Sequence, residues 1–209
     1  MYIYMSLLLM LLATSPQEKK NTKHKTYNKK GILIAEGKYK NGLKEGLWIN
    51  YWDRNGKIKS KMKFKKGKIH GTVIFYYYKF NKAYPDNLQG IQSIAKYKNG
   101  FRNGTFKEYR PDGTLYVKAF YKEGEKQGRW LYFRPEGSLG KIESYYKDKK
   151  HGIWEYYEND GFLIQRREYR NGVREGEWLN YDDFFESYDK TVYKNGVVVK
   201  GHWGIVDMD

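Results

Sequence analysis

The chain has 209 residues and carries 40 Lys and Arg against 24 Asp and Glu, a net charge of +16 that favours acidic or anionic partners. It has no cysteine, which excludes disulfides, thiol chemistry and thiolate metal sites. Only 40% of the residues are hydrophobic but 22 are tyrosine, a composition that suits a thin sheet faced with rings better than a thick two-layer core.

In chain order, residues 1–16 stand apart. Ile3 to Ala13 is almost wholly apolar and Ala13-Thr14-Ser15 supplies small residues, so the stretch reads as a secretory signal peptide. It is too short for a comfortable membrane span. This reading implies export to the periplasm or cell envelope; a chain that keeps the segment uncleaved and unexported would be cytoplasmic. Residues 17–26 read as a basic linker. A repeat array is expected over 27–204, with 205–209 as a short tail.

Inside the array a glycine that precedes an aromatic residue serves as a marker. It recurs at Gly46, Gly71, Gly104, Gly128, Gly152, Gly176 and Gly201, in steps of 25, 33, 24, 24, 24 and 25 residues. Two residues after each marker stand Trp48, Val73, Phe106, Trp130, Trp154, Trp178 and Trp203. Five residues after the first six stand Tyr51, Tyr76, Tyr109, Phe133, Tyr157 and Tyr181. A fixed period in this range marks a repeat array whose units stack to build one core. The second unit is nine residues longer than the 24-residue step, and its excess, within Tyr78–Gln92, contains Tyr84 and Asn87 as candidate recognition residues.

Each unit reads as one β-hairpin. Its first run carries the aromatics, as in Leu47-Trp48-Ile49-Asn50-Tyr51, and suits a pleated, half-buried surface. A turn such as Arg110-Pro111-Asp112-Gly113 follows, with proline pre-setting one corner and glycine taking the left-handed position. The second run alternates with period two: Lys57, Lys59, Lys61 and Lys63 on one face, Ile58, Ser60, Met62 and Phe64 on the other. Asn-Gly pairs at 41–42, 99–100, 171–172 and 195–196 join one hairpin to the next. Short connections make successive strands neighbours. The expected fold is therefore all-β, an elongated single-layer antiparallel meander of tandem hairpins. Its expected core is the marker glycines with their rings, the bare glycine giving a neighbouring ring room to lie on the backbone.

The pattern Tyr-x-Asn-Gly-x-x-x-Gly-x-Trp-x-x-Tyr, carried by Gly42, Gly46, Trp48 and Tyr51 and again by Gly172, Gly176, Trp178 and Tyr181, resembles the MORN repeat in its bacterial variant form. That form occurs in YwqK-type antitoxin-like proteins. The resemblance implies a β-hairpin array that acts by binding a protein, in the manner of an antitoxin, or anionic phospholipid head groups. Aromatic-and-glycine hairpins also resemble choline-binding modules, which implies cell-wall glycan as a third class of partner.

Chemistry beyond binding finds no foothold in the sequence. His70 and His151 stand where other units place Glu45, Asn103, Gln127 and Glu175, the signature of a solvated turn position. His24 falls in the linker. No nucleophile–base constellation, no metal-ligand spacing and no phosphate loop emerges, so no enzyme activity, cofactor, metal or small-molecule substrate is expected. The candidate binding surface is the basic strand with Lys57, Lys59, Lys61 and Lys63, together with the Tyr84 and Asn87 loop. Aromatics beside lysines could serve nucleic acid by stacking, but core rings and edge-guarding lysines explain them more simply.

Overall fold

The computed structural model describes residues 21–78, 90–182 and 187–205. The apolar N-terminal segment, Tyr84 and Asn87 lie outside the described residues. Seventeen antiparallel strands form one open sheet, with no helix among the described residues. The N-terminal half holds β1 (Thr22–Tyr27), β2 (Leu33–Lys40), β3 (Leu43–Tyr51), β4 (Ile58–Lys65), β5 (Lys68–Tyr76), β6 (Ile91–Lys98), β7 (Phe101–Tyr109) and β8 (Leu115–Lys122). The sheet continues through β9 (Glu125–Lys126), β10 (Gly128–Phe133), β11 (Leu139–Tyr146), β12 (Lys149–Lys150) and β13 (Gly152–Tyr157). The last four are β14 (Leu163–Arg170), β15 (Val173–Asp182), β16 (Ser187–Lys194) and β17 (Val197–Ile205). β9 and β10 act as one strand interrupted at Gln127, because both pair with β8; β12 and β13, interrupted at His151, both pair with β11. Every pairing is between neighbours in sequence, as a meander of hairpins requires.

The array begins earlier than the sequence suggests. Thr22 to Thr26, read above as linker, pairs with β2 from Thr22↔Tyr39 to Thr26↔Ala35. His24 stands opposite Gly37, three residues before Tyr27, as Trp48 stands three before Tyr51. It therefore occupies the marker-ring position of an incomplete unit ahead of that of Trp48, its ring 5.3 Å from that of Tyr39 and 6.1 Å from that of Trp48. At the other end, β17 runs on through Ile205. Lys57 precedes β4 and does not belong to the strand.

The marker glycines are needed for a reason other than room. At Gly46 the backbone has φ +70°, and the register moves by two residues, from Lys38↔Glu45 to Glu36↔Ile49. The same shift recurs between β4 and β5, β6 and β7, and β14 and β15. Each marker from Gly46 to Gly176 has positive φ, a conformation that costs an L residue roughly 1–2 kcal/mol. A Cβ added at Gly46 or Gly128 would meet nothing within 4 Å, so no ring lies on these glycines. The glycine that does carry a ring is Gly37, where a Cβ would fall inside the Trp48 indole. Gly201 is not one of the set: its φ is not positive, and the register beside it shifts by a single residue.

Both ends of the hairpins are stitched to the next unit. At the Asn-Gly end, the turn glycine N–H of one unit donates to a carbonyl of the unit before, as Gly67 to Lys44 (2.9 Å), Gly124 to Arg102 (2.8 Å) and Gly172 to Lys150 (2.7 Å). Side chains add a second stitch: Glu45 accepts from the Lys66 N–H, Glu175 from Asn195, and His151 Nδ1 from Asn171 at 3.3 Å. At Glu45, Gln127, His151 and Glu175 the position read above as a solvated turn is thus an acceptor that docks the following turn, whereas His70 Nδ1 is buried without a partner among the described residues. At the opposite end Arg110 and Arg134 donate to the Phe133 and Tyr157 carbonyls of the next hairpin.

Candidate functional site

The two faces of the sheet differ in kind. One carries the rings. In strand register, Trp48 pairs with Met62, Val73 with Ala95, Phe106 with Ala119, Trp130 with Glu143, Trp154 with Arg167 and Trp178 with Thr191. Beside this row runs a second, of Tyr39, Phe64, Tyr97, Tyr121, Tyr145, Tyr169 and Tyr193. The rows interlock as a zigzag: Tyr121 to Trp130 5.1 Å between centroids, Trp130 to Tyr145 5.7 Å, Tyr145 to Trp154 5.3 Å, Trp154 to Tyr169 5.4 Å, Tyr169 to Trp178 5.2 Å. Edge-to-face and tilted geometry at these separations is the favoured arrangement for aromatic pairs.

This corrects some of the expected core. Trp48, Phe106, Trp130 and Trp154 are buried in the ring face, and Trp178 half-buried. Their motif partners Tyr51, Tyr109, Phe133, Tyr157 and Tyr181 are only half-buried. The hydroxyls of Tyr51 and Tyr157 reach Glu36 and Glu155, at 2.5 and 3.0 Å, on the other face. Burial and then the Glu36 contact push the Tyr51 phenol up to about 12. The ring that packs on each tryptophan is instead the tyrosine before the Asn-Gly turn, or its equivalent.

A column of cations crowns the zigzag. Lys44 lies 4.1 Å from the Trp48 ring centroid and 5.2 Å from that of Phe64; Lys126 lies 4.4 Å from Trp130 and 4.5 Å from Tyr145. Lys150 covers Trp154 and Tyr169, Arg174 covers Trp178 and Tyr193, and Arg102 covers Phe106 and Tyr121. Each contributes on the order of 0.5–1 kcal/mol of cation–π attraction at this exposure. Sequence reasoning missed the column, although its signal was present. Gly-x-[Lys/Arg]-x-Gly recurs around Lys44, Arg102, Lys126 and Arg174, and around Lys150 with Asp148 in place of the first glycine.

Arg167 enters the ring row between Trp154 and Trp178, its guanidinium 5.0 Å from the Trp178 ring, and two further places break the regularity. At Glu143 a carboxylate enters the ring row, buried between Trp130 and Trp154 on the same face. It accepts from Lys141 at 2.7 Å and from the Tyr132 and Tyr145 hydroxyls at 2.9 Å each. Burial raises the Glu143 pKa, but the Lys141, Tyr132 and Tyr145 hydrogen bonds outweigh it and hold the carboxyl below its ordinary range. Both carboxylate oxygens are engaged, so this is a satisfied structural group. At unit two the ring row carries Val73 and the cation column Ile69. Beside Val73, a cleft of about 420 Å³ opens on the ring face, with Ala95, Arg102, Phe106, Glu108, Tyr121 and Lys126 among its walls.

The other face is basic and partly apolar. Lys59, Lys61 and Lys63 do share it, with Lys59 4.8 Å from the Trp52 ring, Lys61 5.8 Å from Tyr76, and the Lys63 stem along Gly71. Like charges stand directly opposite one another at Lys23↔Lys38, Lys65↔Lys68 and Lys107↔Lys118. Such pairs weaken a sheet. Along the Asn-Gly edge, a cation faces an exposed apolar side chain at Lys40↔Leu43, Lys98↔Phe101, Arg170↔Val173 and Lys194↔Val197. Phe101 is 62% exposed and Val197 66%. Compared with known proteins, the chain matches no family model and no curated relative.

Proposed function

We propose that the chain is a non-enzymatic β-repeat scaffold that binds a partner protein through the basic, apolar-studded face. The observation that carries this reading is the repeated pair of a cation and an exposed apolar side chain at Lys40/Leu43, Lys98/Phe101, Arg170/Val173 and Lys194/Val197. Exposed apolar residues arranged in register, rimmed by charge of one sign, fit the interface of an acidic protein. The resemblance to bacterial MORN-like repeats supports the same class, and neutralisation of a target by binding is the antitoxin-like form it would take. Export to the cell envelope belongs to the same proposal and is tested by locating the mature protein in fractionated cells.

A second reading, adhesion to an anionic phospholipid surface, is favoured by the opposed lysines Lys23↔Lys38 and Lys107↔Lys118, whose mutual repulsion a membrane would relieve. One experiment separates the two. Leu43→Ser with Phe101→Ser should abolish capture of the protein partner while leaving circular dichroism unchanged. Lys59→Gln, Lys61→Gln and Lys63→Gln together should weaken vesicle binding by roughly a hundredfold if lipid is the target, at about 1 kcal/mol per lysine. Capture that survives the apolar changes, with vesicle binding lost in the lysine variant, would replace the protein reading with the lipid one.

A further inference from the structure

The cleft on the ring face lies where the repeat departs from itself. In the units of Trp48, Phe106, Trp130, Trp154 and Trp178 the zigzag is closed by a large ring and covered by a cation; in unit two Val73 and Ile69 supply neither, and the next residue in the row is Ala95. Next to Val73 across the strand pair, Phe75, Tyr97, Phe106 and Trp130 stand as walls around a floor that includes Ala95 and Ser93. Two cations of the column border it. Arg102 donates through Nε to the Tyr97 hydroxyl at 3.2 Å and through Nη1 to that of Tyr121 at 2.8 Å, which fixes the fork and leaves its Nη2 edge unbonded. Lys126 sits on Trp130 and Tyr145. Among the described residues neither cation pairs with a carboxylate. Glu108, farther along β7 from Arg102, places a negative charge elsewhere on the wall.

We propose that this cleft is a binding site for a flat apolar group bearing a single carboxylate, the carboxylate meeting Arg102 and Lys126 and the apolar body packing on Ala95 against Phe106. A pre-oriented guanidinium fork matches the geometry of a carboxylate, and rings fix a planar body at little entropic cost. Glu108 repels the anionic end and so sets one orientation; it also disfavours a dianion. The same chemistry is offered by a free aromatic acid and by the C-terminal carboxylate of a peptide ending in an aromatic residue. This inference does not depend on the opposite face and stands or falls separately from the reading above.

The test is an NMR titration of the intact chain with phenylacetate and with N-acetyl-Gly-Gly-Phe, each beside its neutral amide. The expected result is perturbation of the Ala95, Arg102 and Phe106 amides by at least one free acid and by neither amide; which acid responds identifies the source. Arg102→Gln should weaken that binding about tenfold or more, as loss of a charge-assisted pair does. Ala95→Leu should fill the cleft and abolish it. Lys150→Gln, which removes a cation of the same column at a closed unit, should leave it unchanged. Absence of perturbation by either acid at millimolar concentration, equal response to acid and amide, or equal weakening by Lys150→Gln would overturn the proposal.

Discussion

Glu143 on the ring face and the Tyr51 phenol on the other make the sheet's stability respond to pH from both sides. The folded carboxyl titrates below its unfolded value of 4.5, so its contribution is complete above that value and is lost as the pH falls through the folded one. Acid should therefore lower the urea midpoint of the native chain below about pH 4.5, and Glu143→Gln, already weaker at neutral pH by about 1.5–3 kcal/mol, should show a smaller acid loss. An unchanged acid limb in the variant would separate Glu143 from this effect. For phenols the sign reverses. Tyr51, raised by burial and Glu36 from 10.0 to about 12, gives stability that is present below pH 10 and lost as the pH climbs towards 12. Tyrosinate absorbance should accordingly rise later in the folded chain than in urea. Two glycines separate backbone from packing at the same scale. Gly46→Ala costs roughly 1–2 kcal/mol through φ alone, whereas Gly37→Ala must displace the Trp48 ring and should cost more. Equal losses would mean that Trp48 moves aside freely.

At the scale of the element, the turns are unequal copies. Asn-Gly at 41–42 takes φ +55° and +75° comfortably, but Lys147 and Asp148 hold φ +49° and +62° with ordinary side chains. Lys147→Asn should stabilise the chain by about 0.5–1 kcal/mol in thermal or urea unfolding; no gain would show that the lysine makes a compensating contact. Hairpin interiors carry more. Trp130→Ala and Trp154→Ala, each removing a ring held by two tyrosines, should each cost roughly 3–5 kcal/mol. The hairpins and their turns were readable because a 24-residue period, Gly-closed turns and alternating strands all point the same way. β1 was not, since Thr22-Lys23-His24-Lys25-Thr26 has no apolar alternation and its residue on the ring face is an exposed histidine. Glu143 was equally hidden: beside Ile142 it reads as the solvent half of an alternating strand, yet both residues are buried, on opposite faces. The cation column escaped notice because a lysine beside a turn glycine, in a chain this basic, looks like any other turn residue.

At the scale of the whole molecule, the described strands pair only with their sequence neighbours, so stability accumulates unit by unit. Excising Gly128 to His151 would join Gln127 to Gly152, the same marker junction, and bring the turn glycine Gly172 to the Lys126 carbonyl in place of that of Lys150. The shortened chain should fold, with β-type circular dichroism and a smaller urea m-value in proportion to the surface lost. A collapsed or unfolded product would reveal coupling beyond neighbours. The order of the strands has a mechanical side as well. With β1 at one margin and β17 at the other, tension applied between them runs across the strands, along the direction of their hydrogen bonds. Rungs loaded in that direction give way singly, as a zip opens, while those of a sheared sheet resist together. The stitches at the turns give each opening a pause every 24 residues, or 33 across unit two. Held between two anchors, such a protein should yield in short lengths: a tape that lets out slack under load instead of a rod that snaps.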